Sequence, residues 1–188
     1  FTTADDIRNH GNRLLLVSQR DIARVSSDTT SGTTGSGKRI YYTEGDRART
    51  VSFFVQGIAQ FAGAGNRVGI AMPFSGSGGL GELIAQAVEQ LCAEPVEIGV
   101  GKSYREMLDI IIDRQPNLWI GMPVPLLSLL RAAAQFGVDW ILDEALLSAD
   151  TVSPVILHEI RRLCGARLWS HYGSRECGLG GAVSCTEN

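Results

Sequence analysis

The sequence has few cysteines, no long apolar run and no excess of basic charge. Its four cysteines, Cys92, Cys164, Cys177 and Cys185, show no paired spacing, which argues against a disulfide framework and favours a reducing, cytoplasmic setting. No apolar stretch approaches the roughly 18 residues of a membrane span. A formal net charge of −3 gives no electrostatic reason to expect nucleic acid or an anionic membrane as a partner.

Hydrophobic residues make up 44% of the 188 positions, which is enough to build the core of one domain. Ser153, Pro154 and Gly165 mark the two ends of one helix. Helical spacing of apolar side chains predicts four more helices, within 51–61, 80–91, 104–112 and 126–136. Short apolar runs that predict strands alternate with them, at 67–72, 95–100, 117–121, 139–142 and 167–171.

This alternation predicts an α/β fold, a layered architecture of βαβ units around a parallel sheet. Ligands usually bind at the carboxyl ends of the strands in such sheets. The candidate sites are therefore the segments that follow Met72, Leu142 and His171.

The run from Thr29 to Lys38 consists of glycines, hydroxyl side chains and one lysine, with no apolar residue. Glycine lets a backbone come close to a ligand, and N–H groups, hydroxyls and a lysine can converge on a phosphate. The alternative is a flexible linker. Gly32, Gly37 and Lys38 also fit the P-loop of nucleotide hydrolases, but Arg39 stands where that motif needs a magnesium-binding hydroxyl.

Segment 76–81, Gly-Ser-Gly-Gly-Leu-Gly, satisfies the GxGxxG pattern between a predicted strand and a predicted helix. Glu97 follows at the distance typical of a dinucleotide site, so NAD binding is one hypothesis. However, residues 73–75 lengthen the turn, and Glu97 falls inside the predicted strand rather than at its tip. The other interpretation is a glycine-rich turn that lets strand and helix pack closely.

The last predicted strand runs into the sequence HYGSRE, residues 171–176. A tyrosine ring can stack on a base, and a glutamate in a strand-end loop can bind magnesium. The alternative is a polar loop. The segment gains significance from its pairing with the run at 29–38.

Together the two segments resemble the signatures of the adenylate-forming superfamily, which includes acyl-CoA synthetases, adenylation domains and luciferases. Tyr172, Gly173 and Glu176 match the second signature, Tyr-Gly-x-Thr/Ser-Glu, and the turn at 148–150 resembles one found near the adenine. The separation of the signatures is similar to that in the phenylacetate–CoA ligase branch. The phosphate-loop signature is matched by Thr30, Ser31, Gly32, Thr33, Thr34 and Gly35, with Lys38 after a spacer.

The resemblance implies part of the large N-terminal domain of an ATP-dependent ligase. In that chemistry a carboxylic acid attacks the α-phosphate of ATP, giving an acyl-adenylate and pyrophosphate, and a thiol, usually coenzyme A, then displaces AMP. The implied ligands are ATP or AMP, magnesium, coenzyme A and an acid, with an aryl acid compatible. Residues 1–188 are expected to form a single α/β fragment without the C-terminal lid domain, and association into a homo-oligomer is a further expectation.

The resemblance also implies residue roles. The phosphate loop and Lys38 would hold the β- and γ-phosphates, Tyr172 would stack on adenine, and Glu176 would bind magnesium. Catalysis is assigned to Lys38, Arg175 and Glu176. The remaining nucleotide-binding assignments are Ala149, Asp150, Gly173 and Ser174. The acyl pocket is assigned to Phe74, Gly76, Gly78, Gly79 and His171.

One departure from the signature leaves two other functions open. Arg175 replaces the family's hydroxyl on the α-phosphate, where it can make a bidentate phosphate contact or pair with Glu176 and disable the site. The second case predicts a catalytically silent nucleotide-binding module. The glycine segment at 76–81 predicts the third alternative, an NAD-binding oxidoreductase.

Overall fold

The computed structural model describes residues 1–27, 38–76, 78–150 and 153–185. Elements within these ranges are numbered in chain order. The phosphate-loop assignments to Thr30, Ser31, Gly32, Thr33, Thr34 and Gly35 lie outside the described residues.

The described residues form helices and strands that alternate through most of the chain. The helices are α1 (Ala4–His10), α2 (Glu44–Ile58), α3 (Leu80–Gln90), α4 (Tyr104–Arg114), α5 (Pro123–Phe136) and α6 (Pro154–Cys164). The strands are β1 (Ile22–Ser27), β2 (Arg39–Thr43), β3 (Arg67–Ala71), β4 (Glu94–Glu97), β5 (Leu118–Gly121), β6 (Glu144–Leu147), β7 (Arg167–Tyr172) and β8 (Ala182–Val183).

All five predicted helices are present, and local signals set their ends. Thr43 and Asp46 form a capping box that starts α2, each side chain accepting from the other's backbone N–H. Ser153 caps α6 with Pro154 at its first position, and Gly165 ends the helix in the left-handed conformation at φ +68°. Among the described residues, no helix is both long and apolar enough to cross a bilayer.

The main sheet has the strand order β4-β3-β5-β6-β7-β8. Strands β3 to β7 pair in parallel, and β8 pairs antiparallel with β7. The chain steps from β3 outward to β4 and then returns to β5 on the other side of β3. The predicted α/β fold with a layered parallel sheet is therefore confirmed.

Two apolar layers bury the sheet, one on each face. Helices α2 and α3 cover one face with residues such as Phe54 and Ile84, which pack on Ile70 and Leu118. Helices α4, α5 and α6 cover the other face and pack on Trp119. Because β5 presents Leu118 to one layer and Trp119 to the other, both faces need apolar side chains, which explains the continuous apolar runs of these strands.

The predicted strand at 139–142 is wrong. Trp140 and Leu142 are buried at 8% and 3% exposure, but they lie in a loop, where the Trp140 indole N–H donates to the Pro116 carbonyl. The strand is instead β6, whose sequence Glu-Ala-Leu-Leu is rich in helix-favouring residues. Burial of the loop produced the apolar pattern, and the strand-end segment therefore begins at Ser148 rather than after Leu142.

A hairpin of β1 and β2 stands apart from the main sheet, and the sequence did not predict it. Val25 and Tyr41 pair across it, and Tyr42 is the one buried residue among those that the structure describes in its two strands. The half-exposed β1 is unlike the buried parallel strand that precedes a P-loop, so it argues, as Arg39 does, against the P-loop interpretation.

Gly81→Ala tests the packing of α3 on the segment before it. A Cβ at Gly81 would lie 2.6 Å from the Phe74 ring, so the ring must shift, and we expect a loss of about 1–3 kcal/mol in unfolding free energy. Gly63→Ala is the matched control, since nothing lies within 4 Å of its Cβ position. Equal urea midpoints for the two variants would contradict the packing described.

Candidate functional site

A cavity of about 370 Å³ opens where the parallel strands end. Met72, Met122, Ser148 and Gly173 line it, and they follow β3, β5, β6 and β7 respectively. The order of the strands reverses between β3 and β5, which is where α/β sheets bind their ligands. The cavity therefore occupies the position that this topology favours for a site.

The walls of the cavity combine apolar and polar side chains. Leu80 and Leu179 add apolar surface to that of the two methionines. The β1–β2 hairpin closes one side and contributes Arg24, Ser26 and Tyr42. A hairpin remote from the strand ends in sequence thus becomes part of the site.

His171 is positioned by neighbours on several sides. The Ser148 hydroxyl lies 2.7 Å from its Nδ1, and the rings of Phe53 and Phe54 lie 5.7 and 5.3 Å from the imidazole centre. Burial lowers the pKa of His171 below its ordinary 6.5, so the ring is neutral at pH 7. His171 lines the cavity, as its assignment to the acyl pocket predicts.

The turn after β6 carries a strained residue. Ala149 has φ +65°, in the left-handed region that alanine rarely adopts, and it lines the cavity. Asp150, which follows, is exposed. The turn predicted to lie near the adenine is therefore at the cavity, with Ala149 on its wall.

Lys38 and Glu176 form an ion pair, although 138 positions separate them in sequence. The Lys38 ammonium is the main reason that the pKa of Glu176 lies below its ordinary value. Arg175, the neighbour of Glu176 in sequence, lines the cavity. Its backbone carbonyl accepts a hydrogen bond from the Tyr42 hydroxyl at 2.8 Å. The carboxylate of Glu176 is thus paired with Lys38.

The rest of the second signature surrounds the cavity mouth. Gly173 and Ser174 line the cavity, and Tyr172 is 74% exposed beside them. A Cβ at Gly173 would lie 2.5 Å from the Leu179 carbonyl oxygen and 2.8 Å from His171, so only glycine fits there. An exposed tyrosine next to a tight glycine turn is a suitable surface for stacking a base.

The glycine segment at 76–81 divides between cavity and core. Gly78 and Gly79 line the cavity, whereas Phe74 packs on Gly81 and against the core shared by α2 and α3. Gly76 accepts a hydrogen bond from the N–H of Gly79, at 2.9 Å. Phe74 is partly buried against this core and is not among the residues that line the cavity, so its assignment to the acyl pocket stays a prediction.

The same segment offers little to a dinucleotide pyrophosphate. The N–H groups of Gly79 and Gly81 donate to carbonyls within the turn, and the Glu82 carboxylate lies against Gly79 at the start of α3. A negative charge therefore occupies the place where a pyrophosphate would bind. Glu97 is the last residue of β4, not interior as predicted, but the turn itself favours the packing interpretation over NAD binding.

Magnesium fits the site only with help from a ligand. Among the described residues, His, Cys, Asp and Glu side chains form no group of three or more that could hold a metal ion. One ionised carboxylate, Glu176, is nevertheless suitable, because Mg²⁺ is usually bound by one or two carboxylates together with substrate phosphates. Glu176 would hold the ion, which would neutralise phosphate charge.

A second cleft, about 470 Å³, opens behind Tyr42 and includes Asp46, Arg49 and Glu176. Its walls come from α2, the hairpin and the Arg175–Cys177 helical turn rather than from the ends of the parallel strands. We place the candidate site in the first cavity, since the parallel strands converge there.

Several cavity residues received no site assignment from the sequence. Arg24, Tyr42 and Met122 line the cavity, and Phe53 supports His171. Met122 stands directly after the strand predicted at 117–121, and that position was the signal available for it. Arg24 and Tyr42 carry no such signal, because only the tertiary position of the hairpin brings them to the cavity.

Lys38→Met tests the ion pair. Removing the ammonium should raise the pKa of Glu176 towards its ordinary value, which a ¹³C NMR titration of the glutamate carboxyl measures. Arg39→Met removes the same charge one residue away and should leave that pKa unchanged. Equal titration curves for the two variants would mean that Lys38 is not the partner of Glu176.

The buried imidazole predicts a pH dependence of stability. Because the pKa of His171 is depressed in the fold, the unfolded chain takes up the proton first, and unfolding free energy should fall as pH drops below about 6.5. His171→Gln should weaken this dependence in urea unfolding at pH 7.5 and 5.5. His158→Gln, at an exposed position on α6, should keep it.

Neither a family model nor a curated protein sequence matches this chain. Its fold, however, matches solved structures of acyl-activating enzymes. A 2-hydroxyisobutyryl-CoA ligase in complex with 2-HIB-AMP aligns at TM-score 0.80 and 17% identity, over 96% of this chain and 40% of its own. FadD1, a long-chain-fatty-acid-CoA ligase from Archaeoglobus fulgidus, aligns at 0.68 and 16%, over 88% and 34%.

The amide bond synthetase McbA from Marinactinospora thermotolerans aligns at TM-score 0.66 and 21% identity, over 89% of this chain and 32% of its own. The chain thus spans 32 to 40% of the length of these three proteins. At such identities the likeness is one of fold. This chain therefore shares its α/β fold with part of these two CoA ligases and of the amide bond synthetase.

Proposed function

We propose that the protein activates a carboxylic acid with ATP as an acyl-adenylate and transfers the acyl group to coenzyme A. The observation that carries the proposal is the convergence at one cavity of Ser148 and Ala149 from the first turn with Gly173, Ser174 and Arg175 from the second signature. These segments are far apart in sequence, and the topology of the sheet brings them together. The likeness in fold to acid–CoA ligases supports the same reaction.

The reaction needs positioning and neutralisation of charge more than covalent help from the protein, because the acid itself is the nucleophile. Tyr172 would stack on the adenine, and the turn at Ala149 would lie beside it. Glu176 would hold magnesium against the phosphates once Lys38 leaves it for the phosphate chain. Ser174 and Arg175 would face the α-phosphate.

Arg175 is compatible with this chemistry. Arg175 lines the cavity. The ion pair formed by Glu176 is with Lys38, whereas the disabled site predicted above would pair Glu176 with Arg175. A guanidinium binds two oxygens of a phosphate or carboxylate at once and keeps its charge at any working pH. We therefore assign Arg175 to the pentavalent α-phosphate in place of a hydroxyl.

The acid would occupy the apolar part of the cavity, between Met72, Leu80 and Met122, with His171 at its side. A volume of about 370 Å³ suits a small acid and would admit one aryl ring. The same proposal includes coenzyme A as the acyl acceptor. It also places the protein in the phenylacetate–CoA ligase branch and in the cytoplasm.

Calorimetric titration with ATP, AMP and NAD in the presence of Mg²⁺ tests nucleotide binding. We expect ATP and AMP to bind. Tyr172→Ala should weaken the affinity for AMP by roughly 5- to 150-fold, which corresponds to the loss of one base–aromatic stack. Tyr104→Ala is the control, a half-exposed tyrosine on α4 away from the cavity. Preference for NAD would overturn the proposal.

Acid-dependent exchange of labelled pyrophosphate into ATP, measured on the protein, tests the chemical step. Exchange that depends on an added acid supports adenylation. AMP binding without exchange for any acid of suitable size would support the silent nucleotide-binding module instead. Loss of exchange in Glu176→Gln, with AMP binding retained, is the result expected if Glu176 serves the metal.

A further inference from the structure

The charge of the cavity differs from that of the chain. The protein as a whole carries −3, yet the charged side chains that line the cavity are two arginines, Arg24 and Arg175. No aspartate or glutamate lines it among the residues that the structure describes. The charged side chains of the lining are therefore cationic, although the Glu82 carboxylate lies close behind Gly79. Arg24 has no part in the proposed function so far.

Arg24 is held against the glycine segment. Its Nη2 donates to the Ser75 hydroxyl at 2.8 Å, and its Nη1 approaches the Gly76 carbonyl at 3.4 Å. The side chain, which is half-buried, thus reaches from β1 to the loop after β3, across the side of the cavity. These contacts fix the direction of the guanidinium, as a binding group requires.

Tyr42 places the two arginines on the same side of the cavity. Burial raises the pKa of Tyr42 to about 12, and the positive charges of Arg175 and Arg24 oppose that rise. The geometry agrees, because Arg24 is paired with Tyr42 across the β1–β2 hairpin and the Tyr42 hydroxyl donates to the Arg175 backbone carbonyl. Both arginines therefore adjoin the same tyrosine. Glu176 also lies in range and acts in the opposite direction, but it is paired with Lys38.

An oxyanion that reaches both guanidinium groups can accept hydrogen bonds from both forks. The Tyr42 hydroxyl stays neutral at any working pH and donates to the Arg175 carbonyl, so it neither competes for the arginines nor adds negative charge.

We propose that Arg24 is a second anion-binding residue of the cavity, which with Arg175 binds an oxyanion on the hairpin side. The inference rests on the proposed function, because it extends the same site. Two ligands can supply the oxyanion, the phosphate chain of the nucleotide and a second carboxylate on the acid, and both share the chemistry that the arginines recognise.

The test uses small anions, so that it does not depend on adenine recognition. The chain is titrated with inorganic pyrophosphate, AMP, and the matched pair succinate and butyrate. Arg24→Met should weaken the affinity for the anion that contacts this residue by roughly 10- to 100-fold. Arg67→Met removes an exposed arginine at the opposite ends of the strands and should leave all four affinities unchanged.

The pattern of losses identifies the source. Weaker pyrophosphate and AMP binding assigns the oxyanion to the nucleotide, and weaker succinate with unchanged butyrate assigns it to a second carboxylate of the acid. Unchanged affinities for all four, or no binding of any anion by the wild-type chain, would overturn the proposal. AMP that binds no better than pyrophosphate would contradict the adenylate function while leaving the Arg24 result intact.

Two further variants separate binding from loop positioning. Ser75→Ala removes the hydroxyl that orients Arg24 but keeps the guanidinium, and Arg24→Lys keeps the charge but loses the fork. We expect Arg24→Lys to recover part of the affinity and Ser75→Ala to lose less than Arg24→Met. If Ser75→Ala reproduces the full loss and Arg24→Lys recovers nothing, Arg24 only holds the loop and the proposal fails.

Discussion

Parallel pairing of β3, β5, β6 and β7 is the constraint on which the rest of the structure depends. Each strand is short, and its register with the next sets all four carboxyl ends at one edge of the sheet. Apolar layers on both faces fix that register, because a slip by one residue would turn Trp119 and Leu118 towards the wrong layers. The cavity is a consequence of this alignment.

Electrostatic organisation follows from the same alignment. The loop after β7 brings Glu176 to Lys38, while Arg24 and Arg175 line the cavity itself. Opposite charges are thus separated into a neutralised pair and a cationic lining. The local arrangement, rather than the net charge of −3, sets the field at the cavity, so the net charge does not oppose the proposed binding of an anion.

Sequence patterns predicted the elements best where local chemistry decides them. Helices α2 and α6 begin at capping residues and α6 ends at a glycine, and these signals need no partner. The strand at 144–147 was missed because Glu-Ala-Leu-Leu has no intrinsic preference for a strand and is held there by its neighbours. The strand predicted at 139–142 was wrong because Trp140 and Leu142 are buried in a loop, and burial without strand pairing produces the same apolar pattern.

By itself the sequence determined the fold class, the approximate positions of α2 to α6 and the presence of the signature residues, because periodicity, capping and short motifs are local properties. Only the tertiary structure decided which of these residues share a cavity. It placed Phe74 against the core, brought Tyr42 and Arg24 in from a separate hairpin and paired Lys38 with Glu176. These outcomes depend on packing between segments distant in sequence, and no local pattern encodes the distance between two such segments.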